Sequence, residues 1–424
     1  MSNKVKLEDV ASLTVGFVGN MTKEYVDTGV SFFRSLNIKP FYLDDKDLLH
    51  ISSEFNEKIK KSKLREGDIV IVRTGQPGTC CVIPKEYDGC NCSDLVIVRP
   101  NKDKVNPHYL EAYINFMTQK QINNHQVGAI QKHFNVGSAK EMILYLPEIR
   151  TQEKCADIVK TLNKKIENNN RINSELEAMA KTIYDYWFLQ FEFPNEEGKP
   201  YKSSGGKMVW NEELKREIPD GWQVDFLSRL FTSQRGISYN SKNIEGGGVP
   251  MINLASFNVD GSYKEEGIKV YSGEYSKEKV VKPFDLLMCN TQQTAIDYKK
   301  DIIGKAFLVP DIFEGEIVTS HHVTTIQVEK DNMKYFLHRL FNTDYFHKYA
   351  AGFTNGTNIL GLIFSGIEKY RLEIPDDAVL KKFADLMLDI EMKKSKIIKE
   401  NQELISLRDF LLPLLMNGQV RFKA

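Results

Sequence analysis

One amphipathic pattern occurs twice in this sequence, and it constrains the fold more than any other feature. Residues 148–193 and 376–416 each predict a long helix whose apolar positions advance in alternating steps of four and three. Each helix begins just after a proline, at Leu146-Pro147 and at Ile374-Pro375. The shared register indicates a duplication rather than two unrelated core helices.

The segments before the two helices also repeat. Asp68-Ile69-Val70-Ile71 matches Asp285-Leu286-Leu287-Met288 as a buried strand, and the turns at Gly29 and Gly248 open matching strands. A period of about 228 residues is too long for a solenoid unit, so it implies two copies of one domain-plus-helix module. We therefore predict an α+β fold with a mixed α/β domain at 1–147, a long helix at 148–193, a linker at 194–221, a second mixed domain at 222–375, and a second long helix with its tail at 376–424.

The two predicted helices most simply pair with each other. Their seam positions are Cys155, Val159, Leu162, Ile166, Asn169, Asn173, Leu176, Ala180, Ile183 and Trp187 in the first helix, and Phe383, Met387, Ile390, Lys394, Ile397, Asn401, Leu404, Arg408 and Leu411 in the second. Polar seam residues such as Asn173 and Asn401 cost stability but fix the register of a helix pair. We predict an antiparallel coiled coil, roughly 40 residues or ~60 Å long, with a domain at each end. The linker, which we interpret as a solvated connector, would cross back along much of the first helix.

Composition excludes several protein classes. The chain is 42% hydrophobic and 27% charged, and it has no apolar run near the ~18 residues of a membrane span. A polar N-terminus and the lack of a disulfide pattern among six cysteines predict a cytoplasmic protein. Cys80, Cys81, Cys90 and Cys92 cluster, but their spacing is not that of paired zinc ligands, so buried or surface thiols are the better interpretation.

The charge balance bears on nucleic-acid binding. The 57 basic and 57 acidic residues give a net charge of zero. Because phosphate neutralisation normally leaves a basic signature, this balance is mild evidence against an autonomous DNA-binding protein. Any nucleic-acid role would need positive charge that is placed locally or supplied by partners.

No catalytic motif stands out. The sequence lacks an Asp/Asn-Pro-Pro-Tyr/Phe methylation motif and a Walker lysine motif, and Gly246-Gly247-Gly248 precedes a predicted strand rather than a helix. His321 and His322 suggest a metal, but adjacent residues on a strand point to opposite faces, so we predict no metal site there. Two similar domains, a spacer and no catalytic motif fit a recognition protein.

Several stretches resemble the specificity (S) subunit of type I restriction–modification systems. They are the helix entry Leu146-Pro147-Glu148-Ile149, the aromatic exit Tyr186-Trp187-Phe188, the linker end Ile218-Pro219-Asp220-Gly221-Trp222, and the tail Leu411-Leu412-Pro413-Leu414-Leu415. The resemblance covers essentially the whole chain. The first domain departs from it, because that domain begins almost at the N-terminus without its own Ile-Pro-x-Gly-Trp lead-in.

This resemblance implies a specific function. Each mixed domain would be a target recognition domain that reads one half of a split sequence in double-stranded DNA. The coiled coil would set the gap between the halves and dock two methyltransferase (M) subunits, which transfer a methyl group from S-adenosylmethionine to a flipped adenine. Endonuclease/translocase (R) subunits, which use ATP, would join this core. The chain itself would need no cofactor and would be non-catalytic.

Base readout needs Arg, Lys, Asn, Gln, Ser or Thr on loops or element ends. Matching loops of both copies are rich in these residues, although a solvated loop explains any single residue at least as well. The candidates in the first copy are Arg34, Ser35, Asn37, Arg73, Thr74, Gln76, Gln131, Lys132, His133 and Asn135. Those in the second copy are Asn253, Ser256, Asn258, Asn290, Thr291, Gln292, Gln293, Thr354, Asn355, Thr357 and Asn358. Because the loops differ in sequence between the copies, we predict two different half-sites and a non-palindromic target.

Two other functions compete with this one. A structural adaptor, whose coiled coil carries end domains that bind proteins, is slightly favoured by the neutral net charge. An autonomous nuclease is disfavoured by the missing motifs. Exchanging residues 1–147 separates a reader from an adaptor, because a reader would change one half-site whereas an adaptor would change its protein partners.

Overall fold

The chain forms two units, each of which contains a mixed domain and part of both long helices. The computed structural model describes residues 3–124, 135–244, 246–293, 301–420 and 422. The first unit comprises Met1–Asn168 with Asn401–Ala424, and the second unit comprises Asn169–Glu400.

A four-stranded antiparallel sheet forms the centre of the first unit. Its strands, in spatial order, are Ala11–Val15, Leu95–Pro100, Ile69–Val72 and Cys80–Val82. Ile69 and Ile71 pack on one face, in a core shared with the helix Pro107–Asn124, whereas Val70 and Val72 pack on the other face with Phe33. Because alternate residues of a strand face opposite sides, burial of both faces explains why this strand is apolar throughout.

The remaining elements of the first unit are short. A second sheet has the order Asn91–Cys92, Val30–Phe33, Leu49–Ile51 and Tyr25–Val26, and its first pair is parallel. Asn3–Lys6 pairs with Ile143–Leu146, and Ile38–Lys39 pairs with Tyr42–Leu43. The other helices and 3₁₀ turns are Leu7–Val10, Ser35–Asn37, Ser53–Lys58, Lys60–Ser62, Lys85–Tyr87 and Val136–Lys140.

The second unit repeats the topology of the first in its central sheet, which confirms the predicted duplication. Its central sheet has the order Phe231–Arg235, Val323–Val328, Leu286–Cys289 and Ala306–Leu308, again antiparallel. Its second sheet has the order Lys269–Tyr271, Val249–Ile252, Ile317–Thr319 and Val280–Val281, in which Val249–Ile252 runs parallel to Ile317–Thr319. Gln223–Phe226 pairs with Arg371–Ile374, as Asn3–Lys6 does with Ile143–Leu146.

Three further groups of elements complete the second unit. A small sheet joins Thr291–Gln293, Ile359–Leu362 and Thr354–Asn355. The shorter helices are Met333–Phe341, Asp344–Ala351 and Phe364–Ile367. The 3₁₀ turns are Leu227–Arg229, Ser241–Ile244, Leu254–Ser256, Glu265–Gly267 and Lys277–Lys279.

The long helices are Ile149–Tyr184, continued by a π-helical turn at Asp185–Leu189, and Asp377–Met416. The first helix ends before the predicted residue 193, because Phe191 adopts a left-handed φ of 61° and turns the chain. This turn lets Phe188, Phe191 and Phe193 pack around Trp222, at ring-centroid distances of 6.1, 5.7 and 5.2 Å. Aromatic packing therefore ends the helix where the apolar pattern alone predicted continuation.

Antiparallel pairing of the helices is visible separately in each unit. In the first unit, Cys155 and Val159 share a core with Leu415, and Arg408 donates to the Asn163 amide oxygen at 3.2 Å. In the second unit, Asn169 donates to Glu400 at 2.9 Å and Phe188 packs edge-on against Phe383. Every predicted seam position is buried or half-buried, which confirms the seam.

The linker is more ordered than we predicted. It forms a hairpin of Met208–Asn211 and Arg216–Pro219, and Tyr201 stacks on Phe193 at 4.6 Å between ring centroids. Met208, Val209 and Ile218 join the core of the second unit. The prediction that the linker crosses back along the first helix was therefore wrong, because its apolar residues hold it beside the aromatic end of that helix.

All six cysteines are buried, and burial raises the pKa of Cys90 and of Cys289 to about 12. Within the described ranges, no group of three or more His, Cys, Asp or Glu side chains is arranged to hold a metal.

The helices in the part of the chain that the structure describes include none that is long and apolar enough to cross a membrane.

Candidate nucleic-acid interface

Two predicted DNA-contacting loops of the first unit meet at the turn Ser93-Asp94. Because Val30–Phe33 and Asn91–Cys92 are parallel, Arg34 and Ser93 lie at the same edge, where the Ser93 N–H donates to the Phe33 carbonyl at 3.0 Å. Arg73 follows the buried strand Ile69–Val72 and donates to the Asp94 carboxylate at 2.6 Å. The structure thus brings the Arg34 and Arg73 loops together.

One predicted residue of this group supports the loop instead of facing solvent. Asn37 is fully buried; its Oδ1 accepts from the Arg34 N–H at 3.0 Å and its Nδ2 donates to the Asp44 carbonyl at 3.0 Å. The Arg34 guanidinium donates to the Asp47 carbonyl at 3.2 Å. Asn37 therefore fixes the 3₁₀ turn Ser35–Asn37, as an Asn side chain that bonds its local backbone does.

The other candidates of the first copy are less engaged. Thr74 reaches the second Asp94 carboxylate oxygen at 3.4 Å, and Ser35 is half-buried. Gln76 and Asn135 are exposed, and Asn135 caps the helix Val136–Lys140 by accepting from the Ser138 N–H at 2.9 Å. Gln131, Lys132 and His133 lie outside the described residues.

The matching 3₁₀ turn of the second unit has the same internal support. The Asn253 N–H donates to Ser256 Oγ at 3.1 Å, and Asn253 Oδ1 accepts from the Ala255 N–H at 2.9 Å. Asn253 and Ser256 are both buried, with 3% and 0% exposure. Asn258 is half-buried and donates to Ser262 Oγ at 3.0 Å. Two of these three candidates therefore hold the turn.

Asn290 occupies the position in the second copy that Arg73 occupies in the first. The equivalence follows from the sheet register, since Val72 pairs with Leu95 and Cys289 pairs with Val323. The Asn290 side chain is buried, and its Nδ2 donates to the His321 carbonyl at 3.2 Å and to Thr324 Oγ1 at 2.7 Å. A guanidinium at this position in one copy and a neutral amide in the other mark a chemical difference between the two domains.

The small sheet of the second unit brings two predicted loops together. Gln292 pairs with Leu360, and Asn355 pairs with Gly361 on the other side of the same central strand. Asn355, Thr357 and Asn358 are exposed, whereas Thr354 is half-buried and its hydroxyl donates to the Ala351 carbonyl at 3.2 Å. Gln292 Oε1 accepts from the Ile302 N–H at 3.3 Å, and Gln293 ends its strand. The Thr291 and Thr354 loops thus form one surface.

The prediction that His321 and His322 point to opposite faces of a strand is wrong. His321 and His322 lie in the turn before the strand Val323–Val328, with ring centroids 3.8 Å apart, so they do not point to opposite faces. Thr291 Oγ1 lies 2.6 Å from His322 Nδ1. Burial lowers the pKa of His322, and the nearby cations Arg235 and Lys269 lower it further. The imidazole beside Thr291 is therefore neutral at neutral pH.

Sequence reasoning missed a group of residues around these histidines. Arg235 donates to the His321 carbonyl at 3.1 Å, and the Tyr239 ring lies 5.7 Å from the His321 ring. Lys269 donates to the Tyr239 hydroxyl at 3.3 Å. These side chains come from separate strands and loops, so no local motif in the sequence marks them.

Comparison with known proteins agrees with the duplicated architecture. The profile of the family described as "Type I restriction modification DNA specificity domain" matches residues 2–178 and 219–406. Each matched stretch runs through one mixed domain and ends inside a long helix. The crystal structure of a type I restriction–modification system S subunit from M. genitalium shares the fold, with a TM-score of 0.54 and 10% identity, over 100% of this chain and 97% of that chain.

Curated relatives carry matching names. The type I restriction enzyme MjaIX specificity subunit of Methanocaldococcus jannaschii is 26% identical over 286 residues, which span 66% of this chain and 61% of that protein. The type I restriction enzyme HindI specificity subunit of Haemophilus influenzae is 22% identical over 420 residues, which span 85% of this chain and 88% of that protein. With both of its domain-plus-helix copies matched, this chain belongs to the type I restriction–modification DNA specificity family and carries two tandem copies of the family's domain.

Proposed function

We propose that this chain is the non-catalytic DNA-reading subunit of a type I restriction–modification complex, in which each recognition domain reads one half of a split target. The proposed recognition domains are residues 1–147 and 222–375. The observation that carries this proposal is the duplicated scaffold with different chemistry at matching positions, such as Arg73 and Asn290. Two copies of one scaffold with unlike side chains at matching positions favour an asymmetric target of two unlike half-sites.

The residues proposed to contact DNA are those whose side chains remain accessible. In the first domain they are Arg34, Ser35, Arg73, Thr74, Gln76 and Asn135. Gln131, Lys132 and His133, which lie outside the described residues, are proposed from the sequence. In the second domain they are Asn258, Gln292, Thr354, Asn355, Thr357 and Asn358. Gln293, which ends the strand Thr291–Gln293, is proposed from the sequence. Five buried candidates would instead hold these loops in place: Asn37, Asn253, Ser256, Asn290 and Thr291.

The long helices supply a spacer and docking faces in this proposal. In the first unit, Leu407 and Phe410 of the second helix are 45% and 66% exposed. In the second unit, Met179 and Met392 are 45% and 54% exposed. Large apolar side chains on the outside of a paired helix favour a protein partner. Two M subunits, which carry S-adenosylmethionine, would dock on the helices, and R subunits, which use ATP, would join them.

The decisive experiment is a domain exchange read out by methylation. Residues 1–147 would be replaced by the first domain of a family member with a different target, and methylated adenines would be mapped by long-read sequencing in cells that also express the M subunits. We expect one half-site of a two-part motif to change while the other half-site and the gap persist.

The matched control is the reciprocal exchange of residues 222–375, which should change the other half-site only. Cells without the chain should show no such motif. Finding no two-part motif that depends on the chain would contradict the proposal, and a change of protein partners with unchanged methylation would support the adaptor alternative.

A further inference from the structure

Three cations of the second unit lie together without a carboxylate partner among the residues that the structure describes. Arg235 Nε donates to the His321 carbonyl at 3.1 Å, and Lys279 Nζ donates to the Arg235 carbonyl at 2.6 Å. Lys269 Nζ donates to the Tyr239 hydroxyl at 3.3 Å and lies 5.5 Å from the centre of that ring. All three contacts are with neutral groups.

Four other cations of the same unit form ion pairs. Arg216 pairs with Glu373 and Arg371 with Glu213. Lys330 pairs with Asp377 at 2.7 Å, and Lys334 pairs with Asp331 at 2.7 Å. Arg235, Lys269 and Lys279 form no such pair among the described residues, and a cation without an ion-pair partner keeps its full attraction for an anionic ligand.

The backbone holds this group in a fixed place. The Ile237 N–H donates to the Thr319 carbonyl at 2.7 Å, and the His321 N–H donates to the Ile237 carbonyl at 2.8 Å. The segment that follows Arg235 is therefore fastened along the turn that precedes the strand Val323–Val328. Tyr239 packs on His321 from the same segment, at 5.7 Å between ring centroids.

The same turn connects the cations to the proposed reading surface. The Asn290 N–H donates to the His322 carbonyl at 3.0 Å, and Thr291 Oγ1 lies 2.6 Å from His322 Nδ1. Thr291 begins the strand Thr291–Gln293, which pairs with Ile359–Leu362. Hydrogen bonds therefore connect the turn that holds the cations to the proposed base-reading loops.

We propose that Arg235, Lys269 and Lys279 bind the sugar–phosphate backbone of the DNA beside the half-site that the second domain reads. This inference rests on the proposed function and adds a role for residues outside the reading loops. Lysine and arginine side chains are the usual phosphate contacts, and such contacts fix the position of a protein on the duplex without carrying sequence information. The Tyr239 hydroxyl orients Lys269, and the His321 carbonyl orients Arg235.

The matching turn of the first unit has a different charge. There Asp94 follows Ser93, and its carboxylate accepts from Arg73 at 2.6 Å. Ser93 and Ser320 are equivalent, because each forms a parallel bridge, with Phe17 and Ile237 respectively. Among the described residues, the second domain therefore has cations without ion-pair partners where the first has an ion pair. We expect loss of charge at this turn to weaken DNA binding through the second domain.

The test uses the full chain assembled with its M subunits and a duplex that contains the methylated motif. The variant Arg235→Gln/Lys269→Gln removes two charges, and the control Lys207→Gln/Lys215→Gln removes two charges from the linker hairpin, where the lysines pair with Asp220 and Glu212. Binding would be measured over a series of salt concentrations. The slope of log affinity against log salt is negative. We expect its magnitude to decrease by about 1 to 2 in the test variant and to stay unchanged in the control.

Methylation mapping in cells completes the test. The motif should stay unchanged in Arg235→Gln/Lys269→Gln, and Lys269→Arg should keep the wild-type salt slope. Equal slopes in the wild type and the test variant, or equal losses in the test and control variants, would overturn the inference. A relaxed base within the motif would also overturn it, since that result means base readout. Absence of any chain-dependent motif with the wild type would overturn the proposed function itself.

Discussion

Asn342 holds the backbone of Ala306 at both of its hydrogen-bonding groups. Its Oδ1 accepts from the Ala306 N–H at 3.1 Å, and its Nδ2 donates to the Ala306 carbonyl at 2.7 Å. Asn115 does the same to Cys80 in the first unit, at 3.1 and 3.0 Å. In both units this amide joins the edge of the central sheet to the helix, or the helix end, that covers it.

Replacement of Asn342 by alanine should therefore destabilise the second unit. Ala306 is fully buried, so its N–H and carbonyl would both lose the partner that Asn342 provides. We expect a loss of about 2–4 kcal/mol in the free energy of unfolding, measured by chemical denaturation. The control Asn211→Ala removes an amide that supports an exposed turn of the linker and should cost about 1 kcal/mol or less. Equal losses would contradict the special role of the Asn342 amide.

A buried ion network should make Arg339 another sensitive position. Arg339 pairs with Glu177 of the first long helix and, at 2.9 Å, with Glu391 of the second, and its side chain is 4% exposed. Arg339→Met would leave these carboxylates with Lys394 as their only cation in the network. We expect a loss of about 3–5 kcal/mol in the free energy of unfolding. Arg171→Met, at an exposed pair with Glu175, should cost at most about 0.5 kcal/mol.

The same network predicts a dependence of stability on pH. Burial opposes ionisation of Glu177, but the charges of Arg339 and Lys394 outweigh it and hold the pKa of that carboxyl well below its usual range. A carboxyl whose pKa is lower in the folded state contributes stability above its unfolded pKa of about 4.3, and this stability is lost as pH falls toward the folded value.

Glu177→Gln cannot lose a charge in acid, so its thermal midpoint should fall less than that of the wild type as the pH is lowered from about 5. Glu175→Gln, at an exposed position on the same helix, should follow the wild-type curve. Parallel acid profiles for the wild type and Glu177→Gln would show that the network does not respond to acid in this range.

One glycine controls the hairpin of the proposed reading surface. Gly356 has a φ of 113°, and a Cβ atom there would lie 2.0 Å from the Ile359 carbonyl oxygen. Gly356→Ala should therefore distort the strands Thr354–Asn355 and Ile359–Leu362 and lower methylation at the motif by about tenfold or more. The control Gly315→Ala also has a positive φ, of 87°, but meets nothing within 4 Å. Full methylation by Gly356→Ala would exclude the hairpin from DNA recognition.

The helix pairing allows a length change that keeps the register. Because Asn169 contacts Glu400, deleting one heptad at 166–172 together with the facing heptad at 398–404 should preserve the seam. Each helix shortens by ~10 Å, so we expect the gap between half-sites to shrink by about three base pairs while both half-sites persist. Replacing the same heptads by others of equal length should leave the gap unchanged. An unchanged gap after the deletion would show that the helices do not set the spacing.

The duplication and the helix seam were predictable from the periodicity of the sequence. Each depends on local spacing, such as that of Cys155 and Val159 or of Phe383 and Met387, and the structure buries all four residues. The strand partners were not predictable in this way, because pairs such as Ala11–Val15 with Leu95–Pro100 join distant segments. The three-stranded sheet that unites Thr291–Gln293 with Ile359–Leu362 is a further example.

The candidate DNA-contacting residues show a second limit of sequence reasoning. Asn37 and Asn253 are of a residue type that commonly reads bases. Both are buried, however, and their side chains accept hydrogen bonds from backbone N–H groups of their own turns. An amide that caps a turn and an amide that reads a base look alike in sequence, because both need the same donors and acceptors. Only the surrounding burial separates them.

The discontinuous first unit has a consequence for how the protein is made. The helix end that carries Leu412, Leu415 and Met416 completes a core with Leu7, Leu144 and Val159, although the entire second unit lies between Val159 and Leu412 in the sequence. During synthesis, the surface around Val159 must wait for the last helix while the entire second unit emerges from the ribosome. A nascent chain that stops before residue 401 leaves this apolar surface bare, and we expect chaperones to recognise such incomplete chains and full-length protein to escape them.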